Sequence, residues 1–429
     1  MPPDPQHRQC IPPHRSRGAG FADALRVGQI RLFIGSVGLF TLGSRALTVV
    51  IGFQIYRLTH SPLALGWLGL IEAIPALSLV LIGGHVADHF NRHKILLTTR
   101  AVSTACAVTL AFLSWHTHAG SLLALYAVVF LAGIARGFAD PANTAFESQV
   151  VPRHLTVNAS SWIGSTWISC SVVGPAVIGF AFDALGAAGS YLLIAVWFAL
   201  SWVCTAVMSP NPQPRPVSRE PILRSIGIGW RFVFSTPPLL GALSLDLFAV
   251  LFGGAIALLP IYADDILHVG AKGLGFLNAA PALGALVSTL LATRHPPMGC
   301  AGRNILLAVA GFGVSIIVFA VSRTMWLSLV ALMFSGLFDG ISVVIRRSMV
   351  RLLSPDHLRG RIAAASWVFV CASNELGAFE SGLLAAWIGT IPCVVLGGFI
   401  TLAIVAATAS LVPQLRRLRF DTQTLEQRV

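Results

Sequence analysis

The chain has 429 residues, 55% of them hydrophobic and only 11% charged, with a mean hydropathy of +0.78. A protein wetted by water over most of its surface does not have this composition. The formal charge is +12, but the basic residues stand in short clusters between apolar runs rather than in one stripe, which argues against a nucleic-acid surface. A polytopic membrane protein remains, and at about 20 apolar residues per crossing its length holds roughly twelve crossings with short loops.

Residues 1–30, rich in proline and arginine, lack the apolar core and cleavage pattern of a secretory peptide and are expected to form a cytoplasmic leader. Six helices are expected near 31–56, 63–84, 95–115, 120–141, 157–182 and 187–208, giving an N-terminal bundle over 31–208. The stretch SPNPQPRPVSREPIL, with five prolines, opens an expected cytoplasmic linker over 209–233. Six more helices follow near 234–262, 269–293, 303–321, 324–345, 361–385 and 389–411, a C-terminal bundle over 234–411. The basic tail, 412–429, carries Arg416, Arg417 and Arg419. The segments 31–56 and 234–262 exceed a bilayer's need and are expected to tilt or to leave the lipid.

An even number of crossings puts both termini on one side. All of the 29 Lys and Arg fall on that side by this reading, except Arg57, Lys272 and Arg323 on the other and Arg45 and Arg136 deeper in helices. The asymmetry places both termini in the cytoplasm of a bacterial inner membrane. The seven cysteines are scattered without a CxxC spacing and read as packing residues, so neither metal nor cofactor is expected.

The chain repeats at half-length. IYRLTHSPLALGWLGLIEAIPAL from Ile55 lies over IYADDILHVGAKGLGFLNAAPAL from Ile261 at an offset of 206. Gly133, Gly137, Pro152, His154 and Leu155 recur as Gly336, Gly340, Pro355, His357 and Leu358 at an offset of 203. The expected fold is therefore all-α: twelve transmembrane helices in two pseudo-symmetric six-helix bundles, with a solute path between them.

After the second expected helix the chain reads GGHVADHFNRHK over 83–94. Gly84, Asp88 and Arg92 match the G-x-x-x-D-R-x-G-R-R/K pattern between the second and third helices of the major facilitator superfamily, which the run resembles; His89, Asn91 and His93 depart from it. The histidines make the charge of this loop pH-dependent. The resemblance implies that Asp88 is a gate residue capping the helix expected from Arg361, whose free N–H groups favour an anion, and that Arg92 pairs with Glu147. Gly174, Pro175 and Gly179 resemble the GPxxGG core of that superfamily's exporter motif; small residues allow close helix approach, and proline removes a backbone hydrogen bond where a bend is wanted. QIYRLTHSPLALG, GFADPANTAFESQVVP and ASNELGAFESG resemble the enterobactin-exporter branch and its drug-efflux-like bacterial relatives. That resemblance implies proton-driven outward movement of a small amphiphilic molecule, siderophore-like or drug-like, by alternating access.

Arg45, Glu72, Arg136, Asp246, Asp339, Glu375 and Glu380 lie inside apolar segments, where an unpaired charge is costly, so they must face protein or water. Arginine in the first bundle can grip the oxygens of an anionic solute, and acids in the second can take up a proton. Arg45, Glu72, Arg136, Asp246, Asn374 and Glu375 are the expected solute or proton pathway, with Glu375 and Asp246 the first choices for the proton and Glu72 next. Asp339, and Asp140 before Pro141, lie nearer helix ends and read as gate or packing charges; Trp162, Trp167 and Trp367 line the path or fill core. No catalytic constellation and no GxxxxGK[ST] loop is present, so an enzyme is not expected, and energy is expected from an ion gradient. The expected partners are the solute, protons and the lipid bilayer, with no nucleic acid, and the chain is expected to act as a monomer. Two alternatives stay open: a proton-coupled uptake symporter, and a non-transporting receptor or assembly protein on the same scaffold.

Overall fold

Inside lipid, backbone N–H and C=O groups must be satisfied within the chain, and an apolar run does so by becoming a helix. The computed structural model describes residues 23–115, 122–209, 222–355 and 358–420, and among these the regular structure is helical throughout. The first bundle is built from α1 (Gly28–Thr59), α2 (Pro62–His89), α3 (Arg92–Trp115) and α4 (Leu122–Val150), followed by the run Thr156–Ala206. That run breaks at Gly186 (φ 69°, ψ −172°) into α5 (156–185) and α6 (187–206). An amphipathic helix, α7 (Ile222–Ser235), precedes the second bundle. This bundle contains α8 (Pro237–Phe252), α9 (Gly270–Arg294), α10 (Ala301–Val321), α11 (Met325–Leu353), α12 (Arg359–Ile388) and α13 (Thr390–Leu411).

Among the described residues there are thus twelve crossings, as expected, with ends shifted by a few residues. Two local features differ from the expectation. The segment expected as one helix over 234–262 stops at Phe252 and continues through a 3-10 turn, Ala255–Leu258, and a π turn, Tyr262–Ile266, because Gly253 and Gly254 interrupt the ladder. Helix α7 occupies part of the span read as linker; its apolar side packs against α12, with the Trp230 ring 4.9 Å from that of Phe369 and tilted by 36°. ILRSIGIGWRFVFS has the spacing of a helix with one apolar face, a signal that the neighbouring prolines masked.

The sequence repeat has a packing meaning. Pro75 of α2 lies against Gly133 of α4, where a Cβ on the glycine would stand 2.8 Å from Pro75 Cγ; Pro281 of α9 lies against Gly336 of α11 through its backbone. The hairpins that end each bundle turn at Gly186 and Gly389, both at positive φ and separated by the repeat offset of 203.

The bundles meet along two equivalent seams, α2 with α12 and α5 with α9. Both depend on glycine: a Cβ on Gly66 would lie 3.2 Å from Gly382 Cα, and one on Gly179 would lie 3.2 Å from Gly275 Cα. These contacts are in the half away from the chain termini, here the distal half. One apolar cluster, including Phe53, Tyr56, Ile178, Leu259 and Leu274, runs through both bundles there. In the terminal half each bundle has its own core, Phe33, Leu96 and Phe146 in one and Leu245, Ile305 and Ile345 in the other. The face of α5 that meets α9 at Gly179 is uncovered at Ser161, Gly164 and Ser165, where a Cβ on Gly164 would touch nothing within 4 Å. The molecule is closed at its distal end and open at the terminal end.

Gly382→Val would drive a side chain into α2, an overlap costing roughly 1–3 kcal/mol. It is expected to raise thiol labelling of a cysteine placed at Trp67, measured with a membrane-impermeant reagent, by about tenfold or more, with the gel-filtration profile retained.

Candidate functional site

The glycines that let α4 approach α2 also place the central charges. Arg136 lies between Gly133 and Gly137, and Glu72 one turn before Pro75, so the Pro75–Gly133 contact brings their side chains together. Arg136 Nη1 donates to Glu72 Oε1, and Nη2 donates to Glu375 Oε1 at 3.0 Å. One guanidinium therefore joins α2 and α4 of the first bundle to α12 of the second. The three side chains are 36%, 23% and 18% exposed, which leaves them in reach of cleft water.

Two further charges complete the cluster. Arg45, on α1, is exposed to the cleft with its guanidinium 5.3 Å from the centroid of the Trp167 ring, a cation–π contact. Asp140, one turn beyond Arg136, is also exposed, and Arg45, Arg136, Asp140, Glu72 and Glu375 act on one another electrostatically. With every group ionised the cluster carries one net negative charge. Beside it a cavity of ≈ 50 Å³ enters the first bundle, lined by Glu72 and Arg136 at one side and by Phe40, Leu47, Ile51, Leu110 and Phe198. That space suits a few waters or a small apolar substituent; a larger solute must occupy the cleft itself. Asn374 is exposed next to Glu375 and donates its amide to the Val370 carbonyl at 2.9 Å.

The other expected pathway acid, Asp246, is not in this cluster. It is held by Arg346 inside the C-terminal bundle, where both side chains are buried, and Asp339 borders the same small cavity. Arg346 and Arg100, at the edges of apolar runs in the sequence, are both buried, Arg100 among Thr205 and Asn143, because their helices run farther past them than the apolar runs indicate.

Among the expected gating residues, Gly174 packs on α1, where its Cβ would lie 2.9 Å from the Leu42 carbonyl, and Pro175 and Gly179 lie on the seam with α9. Arg92 donates to the Ala145 carbonyl at 3.1 Å, and Glu147 accepts a hydrogen bond from Ser160 at 2.8 Å. The surroundings of Gly84 and the side chains of Asp88 and Trp367 lie outside the described residues. Trp162 packs with Ala24, Ile30 and Ala159 near the terminal end.

Sequence reading missed the distal closure. Tyr56 donates to Asp265, Arg57 pairs with Asp264 at 3.2 Å, and Lys272 pairs with Asp183 at 3.6 Å, each bond joining one bundle to the other. Two of the three basic residues assigned to the far side are thus bundle-to-bundle partners. Their scarcity there, with acids at the matching helix ends, was the available signal. Exposed pairs of this kind contribute about 0–1 kcal/mol each, and a hydrogen bond to a carboxylate about 1.5–3, so the closure is stable but reversible.

Two six-helix bundles closed at one end around a mid-depth charged cluster have the architecture of a membrane transporter. The chain belongs to the Major Facilitator Superfamily, whose family model matches residues 33–378. Among curated proteins it is similar to the enterobactin exporter EntS of Shigella flexneri, 27% identical over 396 residues that cover 92% of this chain and 93% of the relative. The enterobactin exporter EntS of Escherichia coli O139:H28 is 26% identical over the same coverage. Among solved structures it is similar to a mutant form of the nucleoside transporter NupG, with a TM-score of 0.72 and 12% identity over 89% of this chain and 99% of that one. A POT family transporter in complex with 5-aminolevulinic acid gives a TM-score of 0.70 and 12% identity over 90% and 96%. The protein is a multi-pass membrane transporter of a small solute.

Replacing both Arg57 and Lys272 by alanine removes two exposed ties and is expected to shift the balance toward distal opening by up to about 2 kcal/mol, with ~1.4 kcal/mol being tenfold. Electron–electron distance measurements between spin labels at Leu58 and Leu267 should then gain a longer component.

Proposed function

We propose that the protein is a proton-coupled exporter of small amphiphilic molecules, siderophore-like or drug-like, that carry hydrogen-bond donors and an anionic group. The observation that carries this reading is the guanidinium of Arg136 shared between Glu72 and Glu375 across the two bundles. Glu375 can be occupied in three ways: by Arg136, by a solute's phenolic, amide or amine donor, or by a proton. A proton weakens the carboxyl as an acceptor, so a solute donor and a proton compete for it, which is the requirement for exchange of solute against protons. Either occupant also releases the Arg136–Glu375 tie between the bundles and lets them rock. Arg45 with Trp167 offers an anion and an aromatic ring a place at the same depth.

Arg92, His93, Lys94 and the tail residues Arg416, Arg417 and Arg419 mark the terminal end as cytoplasmic, in the inner membrane of a bacterium. The conformation described is then cytoplasm-open, ready to load an exported solute. The similarity to enterobactin exporters supports the direction and the solute class. Gly84, Asp88 and Arg92 would serve the cytoplasmic gate in the opposite conformation. The leader, linker and tail are read as cytoplasmic, and the chain as working alone.

The same bond supports one rival. For a purely anionic solute, a proton on Glu375 frees Arg136, so proton and anion load together, which is uptake symport.

Proteoliposome flux under an imposed pH gradient separates these readings, using catecholate siderophores and amphiphilic dyes. Wild type is expected to drive solute against the proton flow, and Glu375→Gln to lose gradient-driven accumulation by at least about tenfold, ~1.4 kcal/mol in coupling, while gradient-free counterflow persists. Movement of solute with the proton establishes the symport reading; undiminished driven flux in Glu375→Gln removes Glu375 from coupling.

A further inference from the structure

The C-terminal bundle holds a second polar centre that the central cluster does not use. Asp339, Ser342 and Arg346 lie on α11 at spacings of three and four, one face of a helix. Asp246 of α8 is opposite them, and Arg346 Nη1 donates to its carboxylate; the two side chains are 8% and 5% exposed. A cavity of ≈ 10 Å³, room for about one water, is lined by Asp246, Asp339 and Ser342 together with the apolar Val309, Phe312 and Phe338.

Three observations indicate that this centre lacks an occupant. Ser342 is 1% exposed, lines the cavity, and its Oγ has no hydrogen-bond partner. The Nε of Arg346 is buried and equally without one. Among the described residues, the guanidinium of this centre is already engaged by Asp246, leaving no cation for Asp339. Two carboxylates against one guanidinium leave one negative charge in apolar surroundings, a costly arrangement. A proton on Asp339 removes that charge and supplies an O–H donor for the hydroxyl oxygen of Ser342 or for a water between them.

We propose that Asp339 is a proton-binding site inside the C-terminal bundle, separate from the solute cluster, and that Arg346 reads its state. With the proton on Asp339, Arg346 stays on Asp246 and ties α11 to α8. When the proton passes to water in the cavity, the Asp339 carboxylate competes with Asp246 for the guanidinium, whose Nε–H is unused, and the tie loosens. Among the described residues, the charges on the surrounding helices are Lys272 and Arg294 near the ends of α9, Arg303 at the start of α10, and Arg361, Glu375 and Glu380 on α12; the side chain of Arg359, at the start of α12, lies outside them. On α11 itself, Arg347 and Arg351 lie beyond the site; α13 carries no charge. Among the described residues, Asp246 is the charged group that lines the cavity with Asp339, and Arg346 reaches the site through its bond to Asp246.

The site stands or falls independently of the transport reading, because its test needs no solute. Purified full-length protein is titrated by difference infrared spectroscopy in H2O and D2O, following the carbonyl stretch of neutral carboxylic acids. Wild type is expected to show a titrating band that is lost in Asp339→Asn and retained in Glu375→Gln and Glu72→Gln. Ser342→Ala, which removes the neighbouring hydroxyl, should displace that band. Survival of every titrating band in Asp339→Asn overturns the proposal, as does a Ser342→Ala spectrum identical to wild type. Should Asp339→Asn fail to give a monodisperse protein, Asp339→Glu with Ser342→Ala decides the matter: a band unmoved in both overturns it.

Discussion

The guanidinium of Arg136 is the interaction on which the rest of the molecule turns. A cation at this depth must be answered by protein or water, and its two answers come from different bundles, Glu72 on one and Glu375 on the other. The bond that stabilises the charge is therefore also the bond that holds the bundles together at mid-depth. In the proposed mechanism, a solute donor or a proton on Glu375 would act on the relative position of the two halves through this bond. Partial exposure keeps this possible, since a fully buried ion pair would be expensive to break.

Above that point the closure is made of contacts that are individually weak. Glycine on glycine, at Gly66 with Gly382 and Gly179 with Gly275, gives close backbone approach without interlocking side chains. The ion pairs of Arg57 and Lys272 lie at the wet distal rim, where each is screened, while the Tyr56 tie starts from a buried ring. The strong, buried pair, Asp246 with Arg346, lies within one bundle rather than between the two. Strength is concentrated within a bundle and weakness between the two, as the proposed rocking of the bundles requires. A proton site beside Asp246 would make even that internal tie adjustable.

The repeat was legible because its glycines and prolines are packing partners: Pro75 with Gly133 and Pro281 with Gly336 must be kept in both halves for the same crossing to form twice. The twelve apolar runs were legible because lipid imposes length and composition on each. The central charges Arg45, Glu72, Arg136 and Glu375 were legible as expensive residues in oil, and they do converge. Asp246 looked the same in sequence and went elsewhere, since nothing in a linear chain says that Arg346, far along the sequence, reaches it. The distal ties were invisible for the same reason: Arg57 and Asp264 look like ordinary loop charges until the bundles are set side by side.

By itself, then, the sequence determined that this protein crosses a membrane many times, in two like halves, with a few charges too costly to be idle. Those are consequences of burial and periodicity, which act residue by residue. Only the tertiary structure decided which charge answers which, because pairing depends on helix rotation and crossing. A shift of one position along α4 or α12, a rotation of about 100°, would turn Arg136 or Glu375 away and leave two bundles with nothing to link them at the centre.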